Sequence, residues 1–313
     1  MSQTIISVDL GGTRVRAARF DRRLNLLERV ETLTLAKEGL EPTLGRIMAQ
    51  IEAIWPANGS EVVGIGVSAP GPVNPMTGVI LSPPNLPGWH NVPLSRLITE
   101  RFDRPVFLGN DANCAVLAEA RRGAAQGYSH VIYITVSTGI GGGIISHGQL
   151  ILGKQGLGSE VGHLIFSPES GLGGSVEKMG AGPAIAREAV LRIQAGAKSI
   201  IRDRVGGDLS KITAKVVGEA AAEGDELGIE LIARTGRLVG VLIADLMHLF
   251  NPEIVVVGGG VTNAGDLLFT PMIQAVRAYT IDDDYWRDVP IVPAALRDDG
   301  GLIGAAALVQ TVD

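Results

Sequence analysis

Cysteine is almost missing from this chain. Cys114 is the only one in 313 residues, which excludes an intrachain disulfide and any metal site built from several thiolates. Aromatic residues make up only 4%, so the core has to be assembled from Val, Ile, Leu and Ala. Basic runs are missing as well. The net charge is −6, and without a cluster of Lys or Arg a nucleic-acid surface has no electrostatic footprint. Long apolar runs are the fourth absence. The most apolar helical stretch, Leu238 to Phe250, contains Asp245 and His248, and nothing approaches the roughly 20 apolar residues of a membrane span. The opening segment has no basic patch and its apolar run is broken by Asp9, which argues against a signal peptide. The expectation is a soluble, cytoplasmic protein with neither nucleic acid nor membrane as partner.

What is present is a globular chain. At 46% hydrophobic and 19% charged it can bury a sizeable core. Its length suits one large or two medium domains. The 42 glycines point to tight turns and close backbone approaches.

The chemistry centres on Pro105-Val-Phe-Leu-Gly-Asn-Asp-Ala-Asn-Cys114. Pro105 to Leu108 reads as a buried strand. Asn113 to Gln126 reads as a helix, with Leu117, Ala120 and Ala124 on one face and Gly127 where it stops. Asn110 and Asp111 sit at the junction. Open α/β sheets bind ligands at the carboxyl ends of their strands, so Asp111 is a candidate base that accepts a proton from a sugar hydroxyl. The competing reading is that Asn110, Asp111 or Asn113 simply caps the helix.

Two further segments share one pattern. Thr4 to Val8 is a strand that runs into Asp9-Leu-Gly-Gly-Thr13 and out through Val15 to Phe20. Val131 to Val136 runs into Ser137-Thr-Gly-Ile-Gly-Gly-Gly143 and out through Ile144. Glycine turns let backbone N–H groups face a phosphate. Either alone would pass as a plain hairpin; the pair suggests a duplicated architecture with two phosphate-gripping turns. Asp9 is placed to hold Mg²⁺, through water.

The remaining elements follow in order. Leu44, Ile47, Ile51 and Ile54 mark one apolar helix face, and Val62 to Val67 a buried strand leading to Ser68-Ala-Pro-Gly-Pro72. The Pro- and Gly-rich loop from Val73 to Pro93 offers Asn85 as a polar site wall, with Trp89 read as an anchor for the loop. Glu160, His163 and Glu177 stand in a glycine-rich segment and suit sugar hydroxyls, which donate to carboxylates and accept from a ring N–H. A helix opens at Gly182-Pro183 and runs through Ile193; Ala195 to Gly224 is polar and reads as carrying no chemistry. Ile229 to Phe250 is a long buried helix in which Gly236 and Gly240 allow a close neighbour. Glu253 to Val257 is a strand, and Gly258-Gly-Gly260 could pass close to a base or ribose. The dinucleotide fingerprint is absent, since this glycine run is continuous. A strand near Ile291 and a helix from Gly301 to Val309 close the chain.

In this order, Asp9-Leu-Gly-Gly-Thr13, Ala69-Pro-Gly71, Asn110-Asp111-Ala-Asn113, Ser137-Thr-Gly-Ile-Gly-Gly-Gly143, Glu160-Val-Gly-His163 and Val257-Gly-Gly-Gly260 resemble the ROK family of repressors and sugar kinases from Ile5 to about Ala307. The resemblance implies an α/β fold of the actin-like ATPase type, a duplicated ribonuclease H-like architecture with two domains around a cleft. The expected boundaries are 1–113 plus about 296–313 for the smaller domain and 114–295 for the larger. It implies ATP- and Mg²⁺-dependent phosphorylation of a hexose 6-hydroxyl, with glucose first and mannose, fructose, N-acetylglucosamine or N-acetylmannosamine as alternatives. A sugar-sensing protein without catalysis is the reading from another class. By the same likeness Asp111 is the base; Asn85, Asn110, Glu160, His163 and Glu177 line the sugar; Asp9, Gly11, Gly12, Thr13, Thr138 and Gly139 hold phosphates and metal; and Gly258, Gly259 and Gly260 meet the nucleoside. A homodimer is also implied.

Two departures from the family pattern matter. Many members bind zinc through a histidine equivalent to His163 and three cysteines. Here the corresponding stretch is Ser170-Gly-Leu-Gly-Gly-Ser-Val-Glu177. Structural zinc needs four ligands, so no zinc is expected. Family repressors also carry a helix-turn-helix ahead of the first strand, and only about four residues stand there in this sequence, so DNA binding has no carrier.

Overall fold

The computed structural model describes residues 3–310; residues 1–2 and 311–313, the outermost part of the expected smaller domain, lie outside the described residues. The chain divides into two compact units, residues 1–127, 150–159 and 295–313 in the first, and 128–149 and 160–294 in the second.

In the first unit, β1 (Thr4–Leu10), β2 (Arg14–Asp21), β3 (Leu26–Leu33), β4 (Val62–Ala69) and β5 (Val106–Asn110) form a sheet in the order β3-β2-β1-β4-β5. The first three are antiparallel neighbours, and β1, β4 and β5 run parallel. The burial follows from composition. β1 and β4 are mainly apolar and almost wholly buried, as strands in the middle of a sheet covered on both faces must be. β3 carries Glu28, Arg29 and Glu31 and is largely exposed, which keeps the edge from pairing with another chain. Helices α1 (Leu40–Ala53), α2 (Leu94–Phe102) and α3 (Asp111–Arg122) complete this part. Ile47, Ile51 and Ile54 of the α1 face are buried. Trp89 is fully buried among Leu86, Val92 and Leu94, so it anchors the long loop as expected.

In the second unit, β6 (Val131–Val136), β7 (Ile140–Ser146), β8 (Ile254–Gly258) and β9 (Ile291–Pro293) lie in the order β7-β6-β8-β9, and the chain leaves the unit at a two-residue edge strand, Gln149–Leu150. β6 and β7 are antiparallel, while β6, β8 and β9 are parallel. Both sheets therefore repeat one plan, a hairpin whose first strand continues into parallel neighbours. Helices α4 (Val176–Gly180), α5 (Gly182–Gln194), α6 (Ala214–Ala222), α7 (Glu226–Phe250) and α8 (Asp266–Tyr279) surround it. α7 and α8 touch backbone to backbone: a Cβ on Gly236 would stand 2.4 Å from the Leu268 carbonyl oxygen, and one on Gly240 2.3 Å from that of Met272.

The chain then returns to the first unit as α9 (Gly300–Gln310), which packs on α3, β4 and β1. α3 belongs to this unit, so the division falls beyond the expected boundary at residue 113. The reason is local. Glu119, 2% exposed, accepts from the Leu296 N–H at 3.0 Å and from the Ala124 N–H at 2.7 Å, tying α3 to the returning segment. The same side chain ends α3 at Arg122 rather than near Gln126, because it folds over Gly123, where a Cβ would meet its oxygen at 2.0 Å. Residues 150–159 also fold onto the first unit, Gly156 resting against Pro75.

Candidate active site

The helix that begins at the end of β5 starts two residues earlier than its apolar pattern suggests. Asn110, 7% exposed, is the cap: its Oδ1 accepts the Asn113 N–H at 2.7 Å. The capping role thus falls to Asn110, and Asp111 becomes the first helical residue, exposed, with its Oδ1 accepting the Ala112 N–H at 2.9 Å. Ala69, opening Ala69-Pro-Gly71, pairs with Asn110 across β4 and β5.

Asp9 stands at the end of β1. The turn after it is closed by the Gly11 N–H donating to the Arg14 carbonyl at 2.9 Å, and Thr34 pins it, its hydroxyl donating to the Gly11 carbonyl at 2.6 Å and its N–H to the Thr13 carbonyl at 2.8 Å. Asn85 lies against Gly12, where a Cβ would stand 3.3 Å from the Asn85 Cβ. Burial pushes the Cys114 thiol up; Ser68 opposes this, and the charges of Asp9 and Asp111 add to it.

Sequence patterns give no sign of Arg16. It faces Asp9 across the β1–β2 hairpin, its Nε donates to Asp9 Oδ2 at 3.0 Å, and its Nη1 reaches the Asp298 carbonyl at 2.7 Å. Both side chains are mostly covered. The other Asp9 oxygen lies over Gly301, where a Cβ would be 2.5 Å away. One oriented carboxylate fits Mg²⁺, which is usually held by one or two carboxylates together with substrate phosphates and water.

In the second unit, the turn Ser137-Thr138-Gly139 is closed by the Ser137 N–H donating to the Gly139 carbonyl at 2.8 Å, and the Gly182 N–H at the start of α5 donates to the Ser137 carbonyl at 2.8 Å. Ser137 and Thr138 border a cavity of about 880 Å³, within the range of small-molecule sites. Its far walls come from α6, with Thr213, Ala214, Gly218 and Ala222, and from Gly260, Val261 and Asn263. Gly259 has φ +91° and no room for a Cβ, which would lie 2.3 Å from the Val136 carbonyl oxygen, so only glycine serves. Gly258 packs against the Tyr133 hydroxyl. α6 lies within Ala195 to Gly224, the stretch in which the sequence shows no chemistry, and it walls this cavity. The available signal is the spacing of Ala214, Gly218 and Ala222, a stripe without bulk on one helix face.

Glu160, His163 and Glu177 meet on the other flank of the same turn. Gly162 rests on it, a Cβ there standing 1.8 Å from the Ile140 carbonyl oxygen. Glu177 Oε2 accepts the Ile140 N–H at 3.1 Å. Glu160 is exposed at the surface, yet partial desolvation raises its pKa; the neighbouring His163 opposes that shift and the Glu177 charge adds to it. His163 is exposed, and its N–H donates to the Glu160 carbonyl at 3.1 Å.

Ser170-Gly-Leu-Gly-Gly-Ser-Val-Glu177 carries no thiolate, whereas a cysteine zinc site of the expected kind would take three. Among the described residues no group of three or more His, Cys, Asp or Glu side chains is arranged to take an ion. Backbone contacts order it instead: the Phe166 and Ser167 N–H groups donate to the Gly174 carbonyl at 2.9 and 3.2 Å, and the Val176 N–H to the Leu164 carbonyl at 3.0 Å.

A glucokinase of Thermotoga maritima is 34% identical over 98% of this chain and 97% of its own. The structure of a ROK family glucokinase from Streptomyces griseus in complex with glucose and AMPPNP superposes with a TM-score of 0.82 at 32% identity, covering 98% of this chain and 99% of the other. That of a ROK hexokinase from Thermus thermophilus gives 0.84 at 34% identity, covering 99% of each. With both sheets sharing one plan and the family pattern named ROK family matching residues 5–312, the chain belongs to the ROK family and has its two-domain, actin-like ATPase fold.

Proposed function

We propose that this protein is a hexose kinase that transfers the γ-phosphoryl group of ATP to the 6-hydroxyl of glucose. The observation that carries the reading is the turn Ser137–Ile140. It borders a nucleoside-sized cavity through Ser137 and Thr138, and it bears Glu177 and Gly162, with Glu160 and His163, on its other flank. Gly258, Gly259 and Gly260 pass the nucleoside, Thr138 and Gly139 meet its phosphates, and Asn85, Asn110, Glu160, His163 and Glu177 bond the sugar. Gly11, Gly12 and Thr13 meet the phosphates as well, and Asp9 would hold Mg²⁺ through water, the ion supplying charge neutralisation on the phosphates. Asp111 accepts the hydroxyl proton. Transfer passes through a loose, in-line transition state in which positioning and charge neutralisation dominate.

The test is ADP release with ATP and a panel of glucose, mannose, fructose, N-acetylglucosamine and N-acetylmannosamine. Glucose-dependent release with glucose 6-phosphate as product is expected. Sugar binding without any ADP release would leave a sensing protein, and release with another sugar alone would move the acceptor.

The working unit is a cytoplasmic homodimer in this reading; among the described residues no helix is long and apolar enough to cross a membrane. Leu249, Tyr279 and Ile281 are 70%, 62% and 77% exposed at the joined ends of α7 and α8, where the Ile281 N–H donates to His248 Nε2 at 3.1 Å. A groove of about 450 Å³ runs on between the same helices past Leu238 and Val241. Apolar patches of this kind mark association sites, and a second copy fits by symmetry. Light scattering is expected to give twice the 32.7 kDa chain mass for the native protein and the single mass for Leu249→Asp with Ile281→Asp. A native monomer, or a variant that remains dimeric, rejects this face.

A further inference from the structure

We propose that Glu177 is a positioning residue that couples the affinity for the acceptor sugar to the affinity for the nucleotide. The inference rests on the hexose kinase reading and adds to it a route by which one substrate is felt by the other.

The geometry has a single node, the peptide groups of Ile140. Its N–H donates to Glu177 Oε2 at 3.1 Å. Its carbonyl lies where Gly162, between Glu160 and His163, leaves no space for a side chain. Two segments that bear sugar-facing groups therefore press on one residue of the phosphate turn. The carboxylate also occupies the space a side chain at Gly139 would need, since a Cβ there would lie 2.5 Å from Oε2. Glycine at 139 is required by this carboxylate rather than by backbone strain, because its φ lies outside the left-handed range.

Glu177 is itself held at a junction. Ser175 caps α4, its hydroxyl accepting the Lys178 N–H at 3.4 Å, and the Glu177 carbonyl accepts the Ala181 N–H at 3.0 Å just before α5 begins. α5 in turn donates its Gly182 N–H to Ser137. The turn is thus fixed from α5 on one side and from the Glu177 carboxylate on the other, with Thr138 between them. A hydroxyl that bonds the Glu177 carboxylate fixes its orientation and, through Ile140, the orientation of the N–H groups offered to phosphate. Linkage then requires the converse, that bound nucleotide tightens sugar binding by the same factor.

The measurement is calorimetric titration of magnesium AMPPNP into the enzyme without sugar and with saturating sugar, using whichever sugar the panel shows to be phosphorylated. The ratio of the two dissociation constants is the coupling factor, and it is insensitive to what a substitution does to either ligand alone. A factor of about 5–150 is the usual range for such coupling and is expected of the native protein. Gly139→Ala drives the carboxylate off the turn and is expected to bring the factor close to one. Glu177→Ala is expected to do the same. Glu177→Gln keeps an oxygen for the Ile140 N–H and is expected to retain most of it. A native factor near one, or a factor that survives both Gly139→Ala and Glu177→Ala, overturns the proposal. If no sugar in the panel is phosphorylated, it is the kinase reading that fails.

Discussion

Asp111→Asn is expected to bind glucose much as the native enzyme does and to lose roughly 10²–10⁴-fold in kcat, the usual contribution of a positioned base. The two residues at the head of α3 divide the work. Asn110 caps the helix through its bond to the Asn113 N–H, which leaves Asp111 exposed in the first turn. Replacing its carboxylate by an amide of the same shape removes a proton acceptor and leaves the cap untouched. Stability should therefore stay near that of the native protein, whereas Asn110→Ala should lose about 1 kcal/mol as an ordinary cap deletion. An interaction made only in the transition state lowers kcat and kcat/KM equally, and that is the kinetic pattern expected. Steady-state rates with thermal melts decide it. Turnover that survives nearly intact, or a melting loss as large as that of Asn110→Ala, removes Asp111 from the role of base.

Those parts of the molecule that are legible in the sequence are the ones whose signal is local. β1 and β6 announce themselves as mainly apolar runs, with Ser7 inside the first and Thr135 inside the second, that lead into a polar residue and glycines, and the repetition of that pattern gives the duplicated plan that the two sheets show. Glu160, His163 and Glu177 can be named from residue type and setting, and they do gather on one turn. Two features are illegible for one reason, that their signal is a contact between distant positions. Arg16 looks like any surface arginine until strand register sets it opposite Asp9. Glu119 looks like a solvated helix residue, yet its carboxylate joins α3 to Leu296 and so decides both where the helix stops and which unit owns it. The α6 wall of the cavity combines the small residues Ala214, Gly218 and Ala222 with Lys215 and Glu219, and the spacing of the small ones is local but does not say what lies against them.

Gly66→Ala is expected to cost the first unit about 3 kcal/mol or more, at or beyond the upper end for overpacked cores. A Cβ on Gly66, in the middle of β4, would stand 1.7 Å from the Ala305 carbonyl oxygen of α9. Neither side can yield. β4 is hydrogen-bonded to β1 and β5, and α9 is held on its other face, where a Cβ on Gly304 would stand 1.9 Å from the Cys114 carbonyl oxygen of α3. The helix thus lies with its backbone directly on both the sheet and α3, and adding one carbon must lift it. Gly45→Ala is the control. It lies inside α1 with no heavy atom within 4 Å of the added carbon, so it should stabilise by about 0.5–1 kcal/mol as a helix-interior glycine replaced by alanine. Urea unfolding followed by circular dichroism separates the two, and a Gly66→Ala protein as stable as the native one would show that α9 is not seated there. The same substitution reaches the carboxylate proposed to hold Mg²⁺, because the first turn of α9 brings Gly301 under Asp9. Lifting the helix withdraws that support and leaves Asp9 held by Arg16. In whatever fraction stays folded, KM for magnesium ATP should therefore rise, while glucose affinity, which the proposed function assigns to other residues, should change less.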